Sequence, residues 1–301
     1  MTLPNFLIVG AAKSGTTSLF SYLGQHPEIF VPVCKEPHYF SDSQVVIAKS
    51  DEEYEGLFAD RTTEKAVGEA SVSYLCDPEA PRRIKQTLGD VKIIIILREP
   101  VARAYSQWGH LYNIGAEPLS FEEALRQEEA RMASEEFRKT CLAVHHGLYY
   151  YFHTGLYYEQ VKRYFDTFGP ERVKVIIFEE FIKDPARFCK EIFVFLGVDP
   201  EFSPVFERHN PSHTFKNKFL HNFLTSPPKL LKAIYEMLPM GLRVKAYGVL
   251  KSVYWANMRR AQRRPLDKAL RIELMERYRE DVRKLEKLLN RNLSIWYAGD
   301  G

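Results

Sequence analysis

A segment near the start of the chain, residues 5–23, constrains the fold most; it reads NFLIVGAAKSGTTSLFSYL. Its apolar residues 6–9 predict a buried strand, and the leucines and aromatic residues that follow Thr16 have the spacing of one helix face. The loop between them, residues 10–15, contains small residues and one lysine, Lys13. A strand that passes through such a loop into a helix presents backbone N–H groups and the positive end of the helix dipole. We therefore expect this loop to hold a phosphate or sulfate group.

Further strands and helices alternate along the chain. Residues 91–97 and 173–178 are continuous β-branched runs, typical of strands buried on both faces of a parallel sheet, and residues 66–69 are a weaker candidate. Helical patterns separate these runs. The predicted fold class is therefore α/β, with a P-loop-like doubly wound parallel sheet flanked by helices. Ligands bind such sheets at the carboxyl ends of the strands.

Capping signals mark the ends of several predicted helices. Ser120 begins a capping box that opens a helix running to about Lys139. Asp184 opens another helix, which Gly197 ends, and an amphipathic pattern predicts a helix over residues 156–168.

The chain is expected to form a single domain over residues 1–301. Residues 5–200 form its α/β core, and residues 203–265, which prolines interrupt, form a helical and loop-rich cap. Residues 267–296 contain a C-terminal helix with one apolar face. The residues predicted for that face are Ile272, Met275, Tyr278, Val282, Leu285 and Leu289.

Composition excludes some classes of function. The formal net charge is only +3, which is too small to argue for nucleic acid as a partner. The four cysteines form no CxxC pair and no ligand cluster with histidine, so neither a zinc site nor a disulfide framework is predicted. No signal peptide precedes the first strand, and no apolar run has the length of a membrane span. We expect a cytoplasmic protein, unless an N-terminal anchor has been removed; the oligomeric state stays open.

The loop at residues 10–17 differs from a Walker A motif in the position of its lysine. Lys13 stands three residues before the P-loop lysine position, which Thr16 occupies. The strand at residues 91–97 ends in Arg98, where a Walker B strand would supply an aspartate for magnesium. The loop is therefore expected to bind its anion without a metal ion.

A second anion site is predicted after that strand. Arg98 directly follows this strand at its carboxyl end, where a ligand is expected to bind. Ser106 lies about two helical turns further along the chain. A guanidinium group binds phosphate as a fork, and a serine hydroxyl adds another donor. Arg103 is expected to pair with Glu99 as a solvated helix charge.

Two motifs together resemble those of the sulfotransferases that use 3′-phosphoadenosine 5′-phosphosulfate (PAPS). KSGTTSL at residues 13–19 is similar to that family's 5′-phosphosulfate loop, and LREPVARAYSQW at residues 97–108 is similar to its 3′-phosphate motif. CKEPHYF at residues 34–40 resembles a segment of the branch that contains heparan sulfate sulfotransferases and many bacterial enzymes. The resemblance covers about residues 5–200.

The resemblance implies PAPS as donor, adenosine 3′,5′-bisphosphate (PAP) as product, and no metal. Lys13 would contact the 5′-phosphosulfate and stabilise charge on the bridging oxygen, while Arg98 and Ser106 would hold the 3′-phosphate. Tyr157 matches a position near the adenine and ribose. The 5′-phosphate would be held by Ser14, Gly15, Thr16, Thr17 and Ser18. The basic pair Arg259 and Arg260 would close over the 3′-phosphate.

The acceptor group needs a base. Glu36 matches the branch's catalytic glutamate, and His38 lies two residues on. A carboxylate is a weak base unless burial raises its pKa, and Lys35 would oppose that rise. His110 is the reserve candidate. The alternative for Glu36 is a structural pair with Lys35.

The acceptor is expected to be a small molecule, a glycan or a lipid-like compound that carries a hydroxyl or an amine. Residues 69–72 read EASV where many polysaccharide-acting relatives have lysine in an EK[ST]P segment, which favours a small or lipid-like alcohol over a heavily sulfated sugar. Residues 209–213 are candidates for lining the acceptor pocket. The alternatives are a P-loop kinase that uses ATP and a non-catalytic nucleotide-binding protein.

Overall fold

The structure is a computed structural model. It describes residues 3–42, 48, 50–140, 145–206, 213–217, 220, 223, 250, 253, 256–260 and 265–297. The chain divides into two compact units: the first comprises Met1–Trp108, Ser120–His209 and Leu266–Gly301, and the second comprises Gly109–Leu119 and Asn210–Pro265. The proposed acceptor-side cap falls largely outside the described residues, so the predicted single-domain organisation stays a prediction.

The strands are β1 (Phe6–Gly10), β2 (Ile29–Phe30), β3 (Ala66–Ala70), β4 (Lys92–Leu97), β5 (Val173–Ile177), β6 (His213–Phe215) and β7 (Met258–Arg260). The helices are α1 (Thr16–Leu23), α2 (Asp51–Gly56), α3 (Ser73–Cys76), α4 (Ala80–Leu88), α5 (Pro100–Asn113), α6 (Phe121–Arg126), α7 (Glu128–Ala133), α8 (Glu135–Thr140), α9 (Tyr157–Phe168), α10 (Phe178–Phe181), α11 (Pro185–Leu196) and α12 (Lys268–Leu289). Short 3₁₀ turns cover His146–Tyr149, His153–Gly155, Pro170–Arg172 and Ser294–Trp296.

The first unit contains a five-stranded sheet in the order β2-β3-β1-β4-β5. Every pairing in it is parallel; Phe6, for example, pairs with Gly68 on one side and Lys92 on the other. The predicted α/β class and its four strand candidates are confirmed. The two-residue strand β2 was not predicted, because it is too short to show a pattern. Since the strands are parallel, the loops after β1, β3 and β4 leave the sheet at one edge.

The core lies on both faces of this sheet. Alternate side chains of the central strands pack with α1 and α11 into one apolar cluster, while α9 lies against β4 and β5. Ile94 and Ile96 in that cluster are fully buried. Each such side chain contributes roughly 1.5–3 kcal/mol relative to its exposed state. The central strands from which the site loops leave are therefore held by buried apolar side chains on both faces.

The helix predicted from Ser120 to about Lys139 is wrong in its length. The capping box is confirmed, because Ser120 accepts from Glu123 N and the Glu123 side chain accepts from Ser120 N. Three short helices, α6 to α8, follow instead of one. Ser134 ends α7 in an extended conformation, and its hydroxyl accepts from Phe137 N to start α8. A side chain that competes for backbone N–H groups in this way breaks a helix.

The other predicted helices are confirmed. Asp184 caps α11 by accepting from Arg187 N, and Gly197 ends it in a left-handed conformation. In α12 the buried face is formed by Leu274, Tyr278, Val282 and Leu285. Ile272, predicted for that face, is 71% exposed. Two residues span about 200° of a helix with 3.6 residues per turn, so Ile272 cannot share a face with Leu274.

No helix among the described residues is long and apolar enough to cross a membrane. Cys34, Cys76 and Cys189 are free thiols. Cys141 lies outside the described residues.

Candidate active site

The loop that joins β1 to α1 has a shape that depends on glycine. Gly15 is the N-cap of α1 with φ of 87°, and Lys13 also has a positive φ, 65°. A Cβ atom on Gly15 would lie 3.0 Å from the ring of Phe178. The first N–H groups of α1 have no earlier helical carbonyl to bind, so they are available to a ligand in this loop.

Buried hydroxyl groups lie inside this loop. Ser14 is fully buried, and its Oγ has no hydrogen-bond partner within the protein. Thr16 is 4% exposed, and Thr17 and Ser18 are half-buried. A buried polar group without a partner costs about 1–3 kcal/mol. An anion that accepts from Ser14 Oγ and from the helix N–H groups would remove that cost, so these residues fit a bound phosphate.

Arg98 connects the second predicted anion motif to the first. It directly follows β4, and its Nη1 donates to Lys13 O at 3.1 Å. Its guanidinium carbon lies 4.9 Å from the ring centroid of Phe178, which is a cation–π contact. Ser106 lies half-buried in α5. The fold thus brings the loop of Lys13 and the motif of Arg98 together.

Tyr157 supports the backbone of Arg98. The side chain is fully buried at the start of α9, and its hydroxyl donates to Arg98 O at 3.0 Å. Burial raises the pKa of this phenol, so the group stays protonated and remains a donor. Direct contact between Tyr157 and a nucleotide stays a prediction.

The prediction that Arg103 pairs with Glu99 as a solvated charge is wrong. Arg103 is 1% exposed and donates through Nη2 to Tyr151 O. Glu99 caps α5 by accepting from the N–H groups at positions 101 and 102, and its Oε2 lies 3.4 Å from Arg271 Nη1. Because the carboxylate points at the helix end and at a distant arginine, the local spacing did not identify its partner.

Glu36 lies in the loop that follows β2, and its N–H donates to the carbonyl of Ala70, the last residue of β3, at 3.0 Å. Its carboxylate is 2.5 Å from Lys35 Nζ and 3.4 Å from His38 Nε2. The His38 ring is buried, and its Nδ1 is 2.7 Å from Ser73 Oγ. Both Glu36 and His38 have positive φ, 65° and 55°. Residues other than glycine keep such a conformation only where the surroundings impose it.

Two opposite effects act on the pKa of Glu36. Burial raises it, but the hydrogen bond with His38 and the charge and hydrogen bond of Lys35 outweigh burial and lower the pKa to about 2. Glu36 is therefore ionised at neutral pH. The rise that burial alone would give does not occur, because Lys35, the expected partner, and His38 both contact the carboxylate.

Glu69 is a polar residue whose environment the sequence argument missed. The side chain is fully buried at the end of β3; it accepts from Ser71 Oγ at 2.9 Å and from Tyr54 Oη at 3.5 Å. Ser71 Oγ in turn accepts from His38 N at 3.1 Å. Burial raises the pKa of Glu69 to about 7. The available signal was a carboxylate inside an otherwise apolar strand, AVGEA.

The remaining candidate residues are His110, the basic pair Arg259 and Arg260, and residues 209–213. His110 is exposed on α5. Arg259 and Arg260 lie in β7, which pairs antiparallel with β6 within the second unit, and their contact with a nucleotide stays a prediction. Residues 209–212 fall outside the described residues, and nothing beyond the backbone is described at His213. In the described part of the chain, no group of three or more His, Cys, Asp or Glu side chains could hold a metal ion.

Comparison with known proteins gives one consistent answer. A family model described as "Sulfotransferase domain" matches residues 3–224. The crystal structure of a sulfotransferase from Alicyclobacillus acidocaldarius superposes with a TM-score of 0.73 at 34% identity, over 99% of this chain and 100% of that one.

Curated relatives carry related names. The bifunctional heparan sulfate N-deacetylase/N-sulfotransferase 1 of Caenorhabditis briggsae is 26% identical over 263 residues, which is 82% of this chain and 29% of that protein. The membrane-associated sulfotransferase kil1 of Dictyostelium discoideum is 38% identical over 112 residues, which is 36% of this chain and 23% of that protein. This chain thus spans less than a third of the length of these relatives.

Proposed function

The chain belongs to the sulfotransferase family, and we propose that it transfers the sulfuryl group of PAPS to a hydroxyl or amine group of an acceptor, leaving PAP. The observation that carries this proposal is the hydrogen bond from Arg98 Nη1 to Lys13 O, at 3.1 Å. It joins two anion-binding motifs at one edge of the sheet. PAPS has an anionic group at each of two ends, which matches two linked anion sites.

The residues of the first loop would hold the 5′ end of the donor. Ser14 Oγ and the N–H groups that begin α1 would donate to the 5′-phosphate. PAPS, when bound, supplies the sulfuryl group. Lys13 would stabilise the charge that develops on the bridging oxygen as the bond between that oxygen and sulfur breaks. Removing one preorganised donor of this kind typically costs about 2.7–4 kcal/mol of transition-state stabilisation.

Arg98 and Ser106 would bind the 3′-phosphate. The Arg98 guanidinium carries a fixed charge and a planar fork of donors, and its contact with Phe178 orients it. The Arg98 backbone is held by Tyr157, so the arginine is positioned before a ligand arrives.

Glu36 would accept the proton of the acceptor group. As the acceptor oxygen or nitrogen bonds to sulfur, the electron pair of the broken bond stays on the bridging oxygen of PAP. The acceptor's proton then passes to Glu36. In the structure Lys35 and His38 hold this carboxylate in its ionised form. His38 and His110 remain the alternative bases.

An uncharged small or lipid-like alcohol is the acceptor that we favour, with a glycan as the alternative. Ala70 fills the position where many polysaccharide-acting relatives have lysine, and it is fully buried. The site therefore lacks a cation at that position. Glycans are included in the test because one relative is named as a heparan sulfate N-deacetylase/N-sulfotransferase. The cytoplasmic location also stays a prediction, since one relative is named membrane-associated.

The direct test is transfer of labelled sulfate from PAPS to a panel of alcohols, phenols, amines and glycans. We expect transfer without added magnesium. Calorimetry separates the alternatives, because a kinase would bind ATP with magnesium more tightly than PAP. The comparisons give no support to the kinase. No transfer to any acceptor, together with no binding of PAP, would reject the proposed function.

A further inference from the structure

The C-terminal residues of the chain contact the Arg98 end of the site through three separate links. They come from α12 and from the turn Ser294–Trp296 that follows it, and all three lead to residues that support Arg98 or the start of α5. These links involve residues far apart in the sequence, and each is a hydrogen bond or an ion pair.

The first link begins at Trp296, which is fully buried. Its indole Nε1 donates to Glu179 Oε2 at 2.9 Å. The other oxygen of the same carboxylate, Glu179 Oε1, accepts from Glu99 N at 3.0 Å. One carboxylate thus bridges the C-terminal indole and the backbone directly after Arg98.

The second link begins at Asp281 in α12. Its Oδ2 accepts from Tyr157 N at 2.7 Å, and its carboxylate also accepts from Tyr158 N at 3.2–3.3 Å. Asp281 thereby caps the start of α9. Tyr157 then donates its hydroxyl to Arg98 O at 3.0 Å.

These two links meet at a single peptide group. The carbonyl of Arg98 and the N–H of Glu99 belong to the same planar unit. Tyr157 binds its oxygen, and Glu179 binds its nitrogen. With both ends bound, the plane of this peptide is fixed, and so is the direction in which the Arg98 side chain leaves the backbone.

The third link is the ion pair of Arg271 with Glu99, at 3.4 Å. Glu99 caps the N-terminus of α5, the helix that carries Ser106. Burial raises the pKa of Glu99 and the charge of Arg271 opposes that rise. The C-terminal helix therefore also contacts the cap of the helix that carries the second proposed phosphate ligand.

We propose that Trp296 is a positioning residue for the 3′-phosphate subsite, acting through Glu179 on the peptide between Arg98 and Glu99. This inference rests on the proposed function, since it assumes that Arg98 meets the 3′-phosphate. A bidentate contact between guanidinium and phosphate depends on the orientation of the fork. Loss of the indole donor releases Glu179, and the Arg98 fork then loses its alignment. Arg98 also donates to Lys13 O, but the donors that would hold the 5′ end, Ser14 Oγ and the first N–H groups of α1, are separate from that bond, so the larger loss falls on the 3′ end.

The test compares two nucleotides that differ by the 3′-phosphate. Calorimetry measures the affinity of the wild-type protein and Trp296→Phe for PAP and for adenosine 5′-monophosphate (AMP). The phenylalanine retains an aromatic ring and removes the N–H donor. We expect the ratio of PAP to AMP affinity to fall about tenfold, the loss typical of one hydrogen bond to a charged group. The affinity for AMP should stay within about twofold, a difference of less than 0.5 kcal/mol.

Two further variants make the result specific. Glu179→Gln keeps the ring of Trp296 and leaves one oxygen for Glu99 N, but it can place an amide N–H₂ against the indole donor; we expect the same selective fall. Tyr278→Phe is the matched control. It removes one donor from α12, the hydroxyl that donates to Phe152 O at 2.8 Å, without touching the Arg98 peptide. Its ratio should equal that of the wild type.

The outcomes separate the two claims. A wild-type protein that binds PAP no better than AMP would reject the proposed function. A wild-type protein that prefers PAP, with both Trp296→Phe and Glu179→Gln keeping that preference, would reject only the positioning role. An equal fall in Tyr278→Phe would also reject it, because general loosening of α12 would then explain the effect.

Discussion

At the scale of single residues, Glu36 shows how contacts decide the chemistry of a side chain. Its carboxylate lies between a lysine and a histidine, and these partners lower its pKa to about 2 although burial raises it. Glu36 is therefore ionised at neutral pH, and the lowered pKa makes it a weak base in this arrangement.

Substitution of Glu36 by glutamine tests its role. Glu36→Gln removes the proton acceptor but leaves the two anion sites intact, so turnover should fall about 10²–10⁴-fold, the range for general base catalysis. The affinity for PAP should not change. Steady-state sulfate transfer and PAP calorimetry give the two values. Glu122→Gln, at an exposed position on α6, is the control. Unchanged turnover in Glu36→Gln would instead make His38 or His110 the base.

The sequence predicted the positions of strands and motifs better than it predicted the partners of individual side chains. The sequence placed Lys13 in the loop after one strand and Arg98 directly after another, because strand patterns and motif spacing are local signals, whereas Glu36 came from the family resemblance. It assigned Arg103 to Glu99 by spacing, whereas the arginine is buried against the Tyr151 carbonyl. Partners that come from distant segments are set by packing, which spacing along the chain does not contain.

At the scale of elements, the β1–α1 loop depends on the conformation of Gly15. Alanine at this position would have φ of 87° and place its Cβ 3.0 Å from the Phe178 ring. A residue with a side chain in such a conformation costs about 1–3 kcal/mol. Phe178 also contacts Arg98, so relief of the clash would disturb both anion sites. We expect Gly15→Ala to weaken PAP binding by about tenfold or more, which is about 1.4 kcal/mol or more.

Calorimetry with PAP measures this loss, and Gly56→Ala is the matched control. A Cβ on Gly56 meets nothing within 4 Å, and the residue ends α2, away from the loop. Alanine there should leave PAP affinity unchanged. If Gly15→Ala bound PAP as tightly as the wild type, the loop between β1 and α1 would not be the phosphate site.

Helix termini were predictable where a cap is encoded, and helix interiors were less so. Asp184 marks the start of α11 and Gly197 its end, as expected. The segment after Ser120 breaks between α7 and α8 because Ser134 caps a new helix. That choice between continuing and restarting a helix depends on tertiary contacts, so the local pattern allowed both.

At the scale of the whole molecule, the buried Glu69 couples stability to pH. Burial raises its pKa from 4.5 in the unfolded chain to about 7 in the folded one. Between these values the folded state binds a proton that the unfolded state releases. Stability from this group is therefore full below pH 4.5 and is lost as pH rises through about 7.

Glu69→Gln should remove this part of the pH dependence. Glutamine keeps one oxygen, which can accept from Ser71 Oγ; an amide group replaces the oxygen that accepts from Tyr54 Oη, and the side chain does not titrate. Relative to the variant, the wild-type free energy of unfolding should fall by up to about 1.4 kcal/mol per pH unit between roughly pH 5 and 7. Urea unfolding at several pH values measures both proteins, and other shared titrating groups cancel in the difference. Parallel curves for the two proteins would show that Glu69 does not titrate in this range.

The sequence predicted the overall fold best and the contacts between distant residues least well. Continuous β-branched runs defined β4 and β5, and alternation of strands and helices gave the parallel sheet. The contact of Trp296 with Glu179 joins residues 117 positions apart, and nothing local in the sequence announces it.

We propose that this chain transfers the sulfuryl group of PAPS and that Lys13 stabilises the charge on the bridging oxygen during the transfer. The most direct measurement follows labelled sulfate from PAPS to the best acceptor of the panel, for wild type and Lys13→Ala, without added metal. Lys183→Ala, at an exposed position, is the control. We expect transfer by wild type and the control, and a loss of about 10²–10³ in kcat for Lys13→Ala. Equal rates for wild type and Lys13→Ala would rule out this role of the lysine.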